Sequence, residues 1–180
     1  GEMVCLIGLN GCGKSTLIRT LVGLQDALGG KIEIKNKKLN KISLSEKSKL
    51  ISWVLTDTMP TGSLKVSEIV EMGRFPYTNW FGKLSDKDNN IIDNAINAVH
   101  LSHKKDYRYN SLSDGEKQRT MIAKALAQDT PIIFLDEPTS HLDLPNTIEI
   151  MQLLRELAQK TKKAILLSTH ELELTLQVAD

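Results

Sequence analysis

The chain has 180 residues, 41% of them apolar and 25% charged, and a formal charge of +1. These are the values of one soluble globular domain, and they exclude a strong field aimed at nucleic acid or anionic lipid, so no nucleic-acid partner is expected. No apolar run approaches the roughly 20 residues that span a bilayer, no signal peptide is visible, and the two cysteines, Cys5 and Cys12, offer no disulfide framework, which together predict a reducing, cytoplasmic compartment.

Met3 to Ile7 reads as a buried strand, a short apolar run bounded by glycine. A helix is predicted over Lys14 to Val22, a short strand over Lys31 to Ile34, and another strand over Leu50 to Leu55. Val66 to Met72 has helical spacing. Asp86 to Val99 is amphipathic, with Ile91, Ile92, Ala95, Ile96 and Val99 on one face and Ser85 as N-cap. Then come a helix over Asp114 to Gln128, an apolar strand over Ile132 to Leu135, and a helix over Pro145 to Lys160 with proline in its first turn. A strand over Ala164 to Leu167 precedes a last helix that starts near Glu171.

Strands alternate with helices at both ends, which predicts an α/β fold: a mostly parallel sheet flanked by helices. The middle, residues 57–112, reads as an inserted helical and loop-rich segment. MVCLI runs directly into a glycine loop and ELELTLQVAD stops in mid-helix. The expectation is a single domain over 1–180, truncated at both ends.

GLNGCGKS satisfies G-x-x-x-x-G-K-[ST], after a strand and before a helix. Successive backbone N–H groups turned inward make an anion nest, and that backbone shape is one side chains oppose. The helix start adds partial positive charge beneath the phosphates. Gly8, Leu9, Asn10, Gly11, Cys12, Gly13, Lys14, Ser15 and Thr16 are therefore expected to hold ATP. Lys14 should reach the β- and γ-phosphates, Ser15 should ligate Mg²⁺, and Thr16 should bond the α-phosphate.

IIFLDE places Asp136 and Glu137 at the end of a buried strand, the edge where α/β sheets bind ligands. Asp136 would face Mg²⁺ through water, and Glu137 would accept a proton from, or orient, the attacking water. The plain alternative is an acidic strand exit with solvated carboxylates. His170 ends another strand, where a neutral imidazole can donate one hydrogen bond to a γ-phosphate oxygen.

LSDGEKQR, Leu112 to Arg119, has the Ser–Glu spacing of a capping box, which accounts for a helix start. It leaves Gly115 unexplained, since glycine weakens a first turn but allows close approach of a ligand. With the glycine loop already holding its own phosphates, Ser113 and Gly115 suit the nucleotide of a second copy. The expectation is a head-to-tail dimer with ATP at the interface.

The order GLNGCGKST, LSDGEKQR, IIFLDEPTSHLD and STH, spread over essentially the whole chain, resembles the nucleotide-binding domain of ABC transporters. The resemblance implies a P-loop NTPase fold, a sandwich dimer in which Ser113 and Gly115 complete the partner's site, Glu137 as catalytic base and His170 as γ-phosphate switch. It implies that Asp143 links the two sites across the dimer. It also implies ATP hydrolysis coupled to transport, attachment to membrane-spanning permease subunits, and a peripheral place on the cytoplasmic face of the cell membrane.

VSEIVEMGRFPYTNWFG, Val66 to Gly82, is similar to the stretch after the glutamine loop in importer ATPases for iron–siderophore, haem and cobalamin. The chain departs from the family in three places. LSDGE stands where the family has LSGGQ. Alignment through VSEIV puts Thr56, followed by Asp57, where the family has a glutamine that reaches Mg²⁺; threonine could contact the ion only through a bridging water. An earlier segment, with an aromatic residue that stacks on adenine, is absent. Two alternatives follow: a nucleotide-binding module impaired in hydrolysis, or a soluble ABC ATPase without a permease.

Overall fold

The structure, a computed structural model, describes residues 1–55, 63–78 and 82–171. Strand β1 (Glu2–Ile7) leads through the glycine loop into helix α1 (Lys14–Leu21). The short strands β2 (Glu33–Ile34) and β3 (Lys37–Lys38) precede α2 (Leu44–Leu50) and β4 (Ile51–Val54). Then follow α3 (Val66–Glu71), α4 (Asp86–Ala98), α5 (Asp114–Ala127), β5 (Ile132–Leu135), α6 (Leu144–Thr161) and β6 (Ala164–Thr169).

The main sheet has the order β1-β6-β5-β4, and every neighbouring pair is parallel. The chain therefore leaves all four strands on one edge, at Gly8, Leu55, Asp136 and His170. Parallel sheets are generally covered on both faces and built of near-continuous apolar runs; β4, β5 and β6 are largely buried, while Val4 and Ile7 of β1 are exposed. Side chains alternate between two cores. Met3, Val54, Ile133, Leu135, Ile165 and Leu167 join the larger core with α3 to α6. Ile51 and Phe134 face the smaller core with Ile18 of α1 and Leu39. Each fully buried aliphatic side chain contributes about 1.5–3 kcal/mol.

The elements differ from the sequence reading in a few places. The strand expected over Lys31 to Ile34 is the two-residue arm of a hairpin, whose turn residues Lys35 and Asn36 have φ of 50 and 63. The strand expected from Leu50 starts at Ile51, because Ser43 and Glu46 form a capping box that opens α2, an unforeseen helix. The helix at Val66 ends at Glu71 and tightens into a 3₁₀ turn over Met72–Tyr77. Strand β6 runs on to Thr169, because Ser168 and Thr169 pair with Leu6 and Ile7 of β1. The last expected helix lies outside the described residues after its first position.

Between β4 and β5 the described residues hold α3, α4 and α5 and short 3₁₀ turns. Ser85 caps α4 through a capping box with Asp88, and Ile92, Ala95 and Ile96 are buried on its inner face. The junction of this helical part is a buried ion pair. Arg74 donates from Nε to Asp88 Oδ1 (2.9 Å) and from Nη1 to the Ala127 carbonyl (2.8 Å). Its guanidinium also lies 4.0 Å from the Tyr77 ring centroid. One side chain thus ties the Met72–Tyr77 turn to α4 and α5. Gly73 fits there because a Cβ would stand 2.3 Å from the Lys124 carbonyl oxygen.

The Ser85 hydroxyl and N–H, and then Arg74, hold the Asp88 carboxyl at about 2, below the ordinary 3.8. A depressed carboxyl gives stability that is present in full above its unfolded value and is lost as pH falls through its folded one. Asp88→Ala, which strands the Arg74 charge, should cost about 3–5 kcal/mol in urea unfolding. The wild type should lose this contribution between pH 4 and 2 while the variant does not; equal acid sensitivity of the two would contradict the assignment.

Candidate functional site

The loop between β1 and α1 is built on glycine where glycine is needed. Gly11 and Gly13 have φ of 80 and 98, and Gly13 is the N-cap residue of α1. A Cβ on Gly8 would stand 2.7 Å from Cys12 Sγ. Helix α1 has no side-chain cap and no acid in its first turn, so its positive end is not offset from within the helix. These features make a concave anion site at the sheet edge.

Lys14 is 6% exposed and folds back over that loop. Its ammonium donates to the carbonyls of Gly8 (2.8 Å) and Leu9 (3.2 Å) and pairs with Glu137 Oε1 at 3.3 Å. Glu137 stands just past β5 with φ 45, a left-handed backbone uncommon for a side-chain-bearing residue. Its N–H donates to Ser168 Oγ at 2.8 Å. Asp136 is buried, and its Oδ1 accepts two hydroxyls, from Ser15 at 3.0 Å and Ser168 at 2.8 Å. The structure thus brings the loop, Lys14, Ser15, Asp136 and Glu137 together. Thr16 lies in the first turn of α1, and its carbonyl accepts the Thr20 hydroxyl at 2.8 Å.

His170 follows β6 on the same edge, with its side chain 43% exposed and Nε2 3.6 Å from Glu171 Oε1. Buried Thr169 accepts the Glu171 N–H at 3.0 Å and shapes that turn. Ser113 caps α5: its Oγ accepts the Glu116 N–H, and Glu116 Oε2 accepts the Ser113 N–H at 3.0 Å. Lys104 first, and then that N–H, hold the Glu116 carboxyl below its usual range. Asp143 caps α6, accepting the Asn146 N–H and side-chain amide at 3.1 and 2.7 Å. A Cβ on Gly115 would stand 2.7 Å from Asn146 Oδ1. Packing against α6 is thus a reason for glycine within the chain that the sequence reading lacked. Thr56 and Asp57 lie outside the described residues.

A cleft of about 300 Å³ opens beside Glu137, lined by Leu55, Tyr109, Gln118, His141 and Leu142 among others. The buried Gln118 Nε2 there has no hydrogen-bond partner among the described residues. A larger hollow, about 360 Å³, lies among Asp26, Lys31, Lys38 and Lys47 and holds none of the site residues.

The donor set beside the loop is a hydroxyl, Ser15, on a carboxylate, Asp136. Hard oxygen donors of this kind fit Mg²⁺, which keeps several waters and takes phosphate oxygens as its other ligands. Among the described residues no three His, Cys, Asp or Glu side chains form a metal cluster by themselves. Sequence reasoning missed Ser168. The available signal was a serine in an otherwise apolar strand run, ILLST, since a buried hydroxyl must find partners.

The ABC transporter family profile matches residues 1–140. An uncharacterized ABC transporter ATP-binding protein of Methanocaldococcus jannaschii is 39% identical over 180 residues, covering 100% of this chain and 62% of that protein. The iron(3+)-hydroxamate import ATP-binding protein FhuC of Bacillus subtilis is 38% identical over 173 residues, 96% of this chain and 64% of that protein. The chain spans under two thirds of the length of both relatives. Among solved structures, the dimeric bacterial ABC transporter cassette MJ0796 superposes with a TM-score of 0.79 at 29% identity, covering 96% of this chain and 76% of that one.

The three N–H donors of Lys14 face Gly8, Leu9 and Glu137, so a phosphate has to displace one of these partners. Glu137→Gln removes the ion pair and should raise ADP affinity about three- to tenfold, the equivalent of roughly 1 kcal/mol. Isothermal titration of wild type and variant measures it; equal or weaker binding by the variant would mean that the pair does not restrain Lys14.

Proposed function

Since the chain belongs to the ABC transporter family, we propose that it is the ATP-binding and ATP-hydrolysing part of an importer subunit. The observation that carries this reading is the convergence of Lys14, Ser15, Asp136 and Glu137 at one sheet edge, within hydrogen-bond or ion-pair distance. Loop residues Gly8 to Thr16 bind the triphosphate, and Lys14 exchanges Glu137 for the β- and γ-phosphates. Ser15 and Asp136 would hold Mg²⁺, with Thr56 near it; the ion offsets phosphate charge when bound. Glu137, once released, takes the proton of the attacking water, and His170 donates to the γ-phosphate.

Two copies close on two ATP molecules, Ser113 and Gly115 of one covering the nucleotide of the other. Asp143, at the start of α6, relays between the two sites. The likeness to a dimeric cassette supports this arrangement. We place the protein on transmembrane permease subunits at the cytoplasmic face of the cell membrane. No described helix is itself long and apolar enough to cross a membrane. The cargo class is an iron–siderophore, haem or cobalamin chelate. The likeness to an iron(3+)-hydroxamate import protein supports that class, as does the Val66 to Gly82 stretch.

In the full-length protein, Glu137→Gln should bind Mg-ATP, lose about 10²–10⁴-fold in phosphate release, and accumulate as a dimer in light scattering. A monomer at saturating Mg-ATP contradicts the sandwich. A wild type that binds ATP but releases no phosphate points to a binding module in which Thr56 does not replace the family glutamine.

A further inference from the structure

Ser168 is fully buried in β6, the strand that lies between the loop strand β1 and the acid strand β5. A hydroxyl there has to be matched, because an unpaired polar group in a core is costly. Ser168 is matched on both sides, by the site itself. It accepts the Glu137 N–H at 2.8 Å and donates to Asp136 Oδ1 at 2.8 Å. The same oxygen of Asp136 accepts the Ser15 hydroxyl at 3.0 Å. One line of hydrogen bonds therefore runs from the backbone of Glu137, through Ser168 and Asp136, to the loop serine.

Two consequences follow from elementary chemistry. Glu137 is held at φ 45, a conformation that a side-chain-bearing residue leaves unless something fixes it. The bond from its N–H to Ser168 is such a fixture. Asp136 takes both hydroxyls on one oxygen, which ties that oxygen to Ser15 and Ser168. An alanine at position 168 would remove the acceptor of one bond and the donor of the other.

We propose that Ser168 is a positioning residue: its hydroxyl sets the backbone of Glu137 and the carboxylate of Asp136 in a fixed relation, so that the base and the cation-holding acid act on one phosphate. This rests on the roles given to Asp136 and Glu137 above. It assigns to β6 a part in the chemistry separate from carrying His170.

The test uses the full-length protein with Ser168→Ala, Ser168→Cys, which keeps the size but weakens the hydrogen bonds, and Ser168→Thr, which keeps the hydroxyl. Four readouts are taken: metal-free ADP binding, Mn²⁺ affinity of the ADP complex by electron paramagnetic resonance, kcat and KM for ATP, and amide exchange at Glu137 without nucleotide. Alanine and cysteine should leave metal-free ADP affinity within about twofold, and KM likewise. They should speed exchange at Glu137 and lower both Mn²⁺ affinity and kcat by about 10–100-fold, with threonine restoring both.

Wild-type Mn²⁺ affinity and kcat in the alanine variant would overturn the proposal. So would a parallel fall of metal-free ADP binding in the alanine and cysteine variants, the mark of a merely structural role. A wild type that binds Mn²⁺-ADP yet releases no phosphate removes the hydrolytic reading instead, and the Mn²⁺ and exchange comparisons then decide on Ser168.

Discussion

One buried carboxylate organises the site. Asp136 stands where β5 leaves the sheet, and its Oδ1 gathers hydroxyls from α1 and from β6. Its backbone N–H reaches across to the Val54 carbonyl of β4 at 3.0 Å. A charge at that depth is tolerated only when it is well hydrogen-bonded, and its partners come from elements far apart in the chain. Moving α1 or β6 would take a hydroxyl from the carboxylate, and moving β4 would break the backbone bond beside it. The parallel register of β4, β5 and β6 is thus coupled to the geometry of the acid, and through Ser15 to the first turn of α1.

Electrostatics around this anchor favour a phosphate. The loop supplies a nest with left-handed glycines and the uncapped start of α1. Its one buried cation, Lys14, is already engaged by two loop carbonyls and Glu137. The group proposed to bind phosphate is thus paired with the group proposed to act on water. In the proposed function, binding and activation become one exchange of partners. Arg74 fastens the Met72–Tyr77 turn to α4 and to the C-terminal end of α5, the helix whose start carries Ser113 and Gly115.

Much of this was legible in the sequence where a residue type has a single local use. Gly11 and Gly13 were needed by backbone shape, Ser85 and Ser113 by helix starts, and Asp136 and Glu137 by their place after an apolar run. What escaped depended on contacts between distant segments. Ser168 has meaning only once β6 is inserted between β1 and β5, and Gly115 gains its packing reason only when Asn146 of α6 stands against it. Arg74 reads as an ordinary surface residue until Asp88, fourteen positions on, is folded beside it. Helix α2 was missed because its capping box is followed by a polar stretch with little apolar periodicity.

The most direct measurement is a structure of the full-length protein with a non-hydrolysable ATP analogue and Mg²⁺. The account predicts Lys14 moved from Glu137 onto the phosphates, Ser15 and Asp136 beside the ion, and Ser113 of a second copy on the γ-phosphate. Lys14 still paired with Glu137, or Ser113 in bulk solvent while the loop is loaded, would contradict it.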